Sequence, residues 1–272
     1  MKDVCLRYRS LLATLTLLCL SVFNAQAQEQ KTSFLAELHN FRISNYQALD
    51  AFYSFSASND TDTLNRIVIG VNSSNDAMNS LVASNSEALS QQQLGQLNQQ
   101  FDLYKDLMRN NINEVRERGY PDLRLMADLA NQALDMNNLA SELYSIARER
   151  IGVEPDTRVE SARSAAVVMA QMMARYAART HSAVAQTFQG AATEVPLDEQ
   201  ASSFDTLLDA VRSGPADGEL KAVLEDVAAK WQFIRASYIN YNERNVSFII
   251  DRYSKGIIEG LTSAIHLLSR DA

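Results

Sequence analysis

The chain has 272 residues, 46% of them hydrophobic, and a formal net charge of −8. That length allows one or two domains with cores able to stand without covalent staples. An acidic surface repels phosphate backbones and anionic lipid heads, so nucleic-acid binding and adsorption through a basic helix are disfavoured.

At the start, Lys2, Arg7 and Arg9 precede an apolar run of 13 residues, Leu11 to Phe23, and Ala25-Gln26-Ala27 follows. This is the order of a secretory leader with a small-residue cleavage site. Thirteen apolar residues fall short of the roughly 20 that span a bilayer as a helix. The expected leader covers 1–27, with the cut before Gln28, export to the periplasm or beyond, and no direct membrane insertion afterwards. Leu18 before Cys19 fits a lipoprotein signal poorly. Both cysteines, Cys5 and Cys19, lie in the leader. The mature chain would have no disulfide, thiolate nucleophile or Cys-bound zinc. Losing three basic residues and one acidic residue takes its charge from −8 to −10.

In the mature chain, Gly119, Gly152 and Gly214-Pro215 fall where helices stop. An opening helix carries Arg42. Behind Asn59-Asp60-Thr61, a second helix places Leu64, Ile67, Val68, Val71, Met78, Leu81 and Val82 on one face. A third, started by Ser90 and stopped by Gly119, carries the stripe Leu94, Leu97, Phe101, Tyr104, Met108 and Val115. A fourth runs from Pro121 to Gly152.

The fifth opens with Thr157-Arg158-Val159-Glu160, a capping-box pattern, and is predicted to reach about Phe188. A sixth runs from Pro196 to Gly214-Pro215. A seventh, from Glu219 to about Tyr238, carries Leu220, Val223, Val227, Trp231 and Ile234. After Asn240 to Asn245, the eighth holds Val246, Ile249, Ile250, Tyr253, Ile257, Leu261, Ile265 and Leu268. No stretch alternates as a half-buried strand does. The expected fold is all-α: antiparallel helical bundles, two four-helix units in tandem, 28–152 and 153–272. Ser73-Ser74-Asn75-Asp76-Ala77-Met78 and Ser202-Ser203-Phe204-Asp205-Thr206-Leu207 occupy matching places in the two halves, a weak sign of duplication.

Chemistry-bearing motifs are missing. His39, His181 and His266 form no H-E-x-x-H pair and read as surface or boundary residues. There is no nucleophile elbow, phosphate loop or dinucleotide fingerprint, and no Glu-x-x-His pair of a bundle di-metal site. Met169, Met172 and Met173 read as gap-filling core, and Trp231 as core. No cofactor is signalled, and the chain is not expected to be an enzyme.

From Val159 onward the order is a long Ala/Met helix, a helix ending in Ser213-Gly214-Pro215, a helix bearing Trp231 and a closing apolar helix. With Val168-Met169-Ala170-Gln171-Met172-Met173-Ala174-Arg175-Tyr176, Phe204 to Ser213, and Lys230-Trp231, this resembles the extracytoplasmic domain of type IV pilus chemotaxis transducers (the PilJ-type domain), related to nitrate/nitrite sensor domains. The family's first helix reads I-N-x-A-G-R-Q-R-M-L-S-Q-R-M-A-K, and its arginines contact a small anion in the nitrate sensors. Gln171, Met173-Ala174 and Arg175 match that pattern, whereas the three arginine positions fall on Ala165, Val167 and Met172, which offer no donor.

The resemblance implies a sensor-like or accessory protein that binds a small anion or metabolite, or a membrane receptor or pilus component, without turnover. The alternative is a structural or assembly factor of an envelope machine such as a pilus. With no HAMP-like, kinase or methyl-accepting region in the sequence, any signal is expected to pass to a partner. Arg163, Gln171 and Arg175 on the fifth helix are the candidate polar ligand contacts, with Arg42 as an equivalent on the first.

Overall fold

The structure is a computed structural model that describes residues 32–84, 87–152, 156–181, 195–241 and 246–270. The leader expected over 1–27, and the predicted end of the fifth helix near Phe188, lie outside the described residues. These residues form eight α-helices and no strand: α1 (32–58), α2 (Thr61–Ala83), α3 (Gln91–Arg118), α4 (Leu123–Ile151), α5 (Thr157–His181), α6 (Leu197–Arg212), α7 (Gly218–Ile239) and α8 (Ser247–Arg270). The protein is an all-α helical bundle. Among the described residues no helix is long and apolar enough to cross a membrane.

Local chemistry sets the helix ends. Asp60 accepts from the Thr63 amide at 2.9 Å, and Asp122 accepts from Arg124 and Leu125. Ser90 and Gln93 form a reciprocal capping box, the arrangement that satisfies two free amides at once. Gly119 ends α3 at φ 80°, a conformation costly for any residue with a Cβ. The box predicted at Thr157 does not form as read. Asp156 caps the Arg158 amide at 2.7 Å instead, and the Glu160 side chain turns to Tyr144 and Arg163.

Helices α5 to α8 close a four-helix ring: α5 packs on α6 and α8, α7 packs on α8, and α6 meets α7. Its core holds Met169, Met172 and Met173, all buried. The Phe204 and Trp231 rings lie 4.4 Å apart. Trp231 keeps its indole N–H satisfied by donating to Asp205 Oδ1 at 2.7 Å, as a buried tryptophan requires. In the first half α3 pairs with α4, and α2 leans on α3. Of the face predicted on α2, Ile67, Met78 and Leu81 are buried, whereas Val68 and Val82 are exposed. Its apolar stripe is therefore only partly covered.

Helix α1 is buried on nearly every side. Buried Leu38, Phe41, Ile43, Ala51 and Tyr53 fall on different sides of it, the pattern of a helix enclosed by others. It meets α3 through the Phe41–Phe101 edge contact, with centroids 5.2 Å apart, and through Tyr104, whose hydroxyl donates to the Asn45 carbonyl at 3.0 Å. It meets α8 through Asp50 and Lys255, 3.7 Å apart. The two halves therefore join along α1.

Candidate functional site

Where α1, α4 and α5 converge, polar groups gather inside the protein. Arg163 on α5 is 4% exposed, yet it carries a guanidinium. Its NH1 donates to Glu160 Oε1 at 2.9 Å and to the Tyr144 hydroxyl at 3.0 Å. The Tyr144 hydroxyl in turn donates to the Glu160 carboxylate at 2.8 and 2.9 Å. Arg148 approaches the same carboxylate at 3.7 Å from the outer side. Arg42 of α1 lies over the Tyr144 ring, 4.9 Å from its centroid, a distance at which the ring quadrupole attracts a cation. Burial, only partly offset by Arg163, pushes the Tyr144 phenol up to about 12.

His39 completes the cluster from α1. It is 4% exposed, and neither ring nitrogen has a hydrogen-bond partner. Burial, followed by the charges of Arg163 and Arg42, holds it well below its usual range, so it is neutral at pH 7. The Nε atoms of Arg42 and Arg163 are likewise enclosed without a partner. Enclosing such donors without acceptors is costly, and the cost rises when the groups are charged. Arg42, Arg163 and Arg148 face Glu160, so the cluster carries an excess of positive charge. Its open valences are the Nε–H donors of Arg42 and Arg163, together with one imidazole able to donate or accept a hydrogen bond. Such a set matches a small anion with several acceptor oxygens, the geometry that a planar guanidinium fork recognises best.

The four residues singled out in the sequence separate. Arg42 and Arg163, one from each half, meet in this cluster. Arg175 lies twelve residues further along α5, about 18 Å at the rise of an α-helix. There its NH1 donates to Gln200 Oε1 at 2.9 Å and to the Val195 carbonyl, fastening α6 to α5. Gln171 is half-buried and belongs to neither group. His39, expected at the surface or boundary, is corrected to a core position, because its side of α1 faces Arg163 and Arg42 rather than the solvent that Asn40 reaches. Tyr144 and Glu160 were not singled out as site residues. Glu160 reads as a cap from its spacing, and Tyr144 carries no local signal. The all-round apolar pattern of α1 is the clue that could have placed its polar residues inside.

A second buried charge lies at the junction of α1, α2, α7 and α8. Asp50 is 2% exposed, with Lys255 beside it. Lys255 also pairs with Asp251, and Arg66 of α2 reaches Asp251 at 3.5 Å. Burial first, then the neighbouring Asp251 charge, raises Asp50 to about 7 against the opposing pull of Lys255 and Arg66. Next to it, the hydroxyls of Tyr238 and Ser254 share a buried hydrogen bond of 2.8 Å. No family model, no curated protein and no solved structure matches the chain.

Proposed function

We propose that this is an exported, sensor-like or accessory protein of the cell envelope. It binds a small anion at the buried Arg42–Arg163–His39 cluster and acts through a partner, without catalysis. One observation carries the reading: two guanidiniums and a neutral imidazole from different halves converge in the interior with unpartnered donors and surplus positive charge. A purely structural ion pair would leave fewer open donors, since buried polar groups in folded proteins are nearly always paired. The PilJ-type resemblance of residues 157–270 belongs to the same proposal. Here the cationic donors come from Arg163 and Arg42 rather than from the positions where Ala165, Val167 and Met172 stand.

The test is a thermal-shift screen of residues 28–272 with nitrate, nitrite, amino acids and short organic acids. A ligand that binds only the folded state raises the midpoint. One anion is expected to do so in wild type and to lose its effect in Arg42→Gln. A flat response across the panel would contradict the reading.

A further inference from the structure

The outer face of α7 and α8 carries exposed aromatic residues. Phe248 is 76% exposed and Phe233 60% exposed, and the Phe233 and Tyr253 rings meet at a tilt, centroids 4.8 Å apart, along the edge of a groove of about 1050 Å³. Charges of both signs line the same groove. Lys230 pairs with Asp226 and Lys255 with Asp251, while Arg252 and Glu259 make no ion pair among the described residues. On a chain of net charge −8, this patch is locally neutral. Charges further away than a Debye length, about 8 Å at physiological salt, are largely screened, so local balance decides what can dock.

Arg252 and Glu259 sit seven residues apart on the exposed side of α8, two turns or about 10.5 Å. A contact between identical surfaces requires that residue i meet j and j meet i about a two-fold axis. If two α8 helices lie antiparallel with the axis between Lys255 and Gly256, each Arg252 faces the partner's Glu259, and the pair forms twice. In that register Phe248 falls opposite Thr262 and Ser263, both exposed small residues. Phe233 and Tyr253 flank the seam from the groove edge. Gly256, near the axis, is covered by the Lys230 side chain, whose Cε would stand 3.0 Å from a Cβ there, so the Lys230 stem is part of the surface the partner helix meets.

We infer that the α7/α8 face is a self-association surface, closing a two-fold dimer through antiparallel α8 helices with reciprocal Arg252–Glu259 pairs. It leaves the Arg42–Arg163 cluster untouched, so it stands or falls separately from the anion reading.

Sedimentation velocity of the purified chain over a concentration series tests it, with Arg252→Glu, Glu259→Arg, the double swap Arg252→Glu/Glu259→Arg, and Phe248→Ser. Wild type should show a concentration-dependent dimer. Each single reversal sets like charges face to face twice and should raise the dissociation constant about tenfold or more. The double swap should restore the dimer, and Phe248→Ser should weaken it without altering the melting of the monomer, since Phe248 is exposed. A monomer at every concentration up to about 1 mM, the limit of weak association, overturns the proposal and gives the face to a partner of another kind. A dimer indifferent to both single reversals also overturns it.

Discussion

Glu160 is the carboxylate that balances Arg163 in the interior and Arg148 at its rim. Removing one member of a buried ion pair leaves the other charge uncompensated, a loss of roughly 3–5 kcal/mol. Glu160→Gln should therefore lower stability by that order in urea melts, although Tyr144 keeps a partner. His39 makes the opposite case. Its two ring nitrogens have no hydrogen-bond partner to lose, so His39→Leu should leave the ligand-free protein as stable or more so, while weakening anion binding.

Asp50 gives a pH signature of known sign. Its folded pKa lies near 7, against about 3.9 for an unfolded aspartate. Between those values the native state holds a proton that the unfolded chain lacks, so this group's contribution to stability falls as pH rises from about 4 to 7. The slope reaches at most about 1.4 kcal/mol per pH unit. The groups around Asp50 are Asp251 and Lys255 on α8, Arg66 on α2 and the Tyr238 hydroxyl on α7. Asp50→Asn should melt higher than wild type at pH 8, with the advantage shrinking as pH drops towards 5. An advantage independent of pH would show that Asp50 stays ionised throughout.

At the scale of the helices, α1 and α2 approach closely because Gly70 allows it. A Cβ there would stand 2.9 Å from the Ala48 Cβ and 3.0 Å from its backbone atoms. Gly95 on α3 would carry a Cβ with nothing within 4 Å. The same substitution should thus have opposite signs. Gly95→Ala gains about 0.8–1 kcal/mol of helix propensity. Gly70→Ala gains as much but meets an overpacking cost of about 1–3 kcal/mol, and should be destabilising on balance in thermal melts. Helix boundaries were largely readable from sequence: Ser90, Gly119 and Gly152 start or stop helices by local rules, whereas the fourth helix, expected from Pro121, is capped by Asp122 and begins at Leu123. The role of Glu160 was not readable, because a side chain that fits a local cap was taken by a tertiary partner sixteen residues upstream. Periodicity marked the face of α2 but overstated its width, since how much of a stripe is covered depends on how many helices surround it.

For the molecule as a whole, α1 matters most. The eight helices of the described residues follow from spacing and punctuation, but nothing local says which of them the others enclose. With α1 inside, its polar residues Asn45, His39 and Asp50 become buried, and Arg42 is brought to Arg163 across the junction of the halves. A ligand held by both arginines would fasten α1 to α5, so occupancy would bear on how the halves hold together. Arg42 and Arg163 could be chosen singly from sequence as cationic candidates. Their meeting, and the neutral imidazole beside them, needed the fold.

The most direct test of the central claim is calorimetric titration of residues 28–272 with the anion that raises the melting midpoint, alongside Arg42→Gln and Arg175→Gln. Saturable one-site binding that Arg42→Gln abolishes and Arg175→Gln preserves is the predicted result, because Arg175 lies about 18 Å away along α5. Binding that survives Arg42→Gln, or heat that depends on Arg175 instead, would contradict the buried arginine pair as the ligand site.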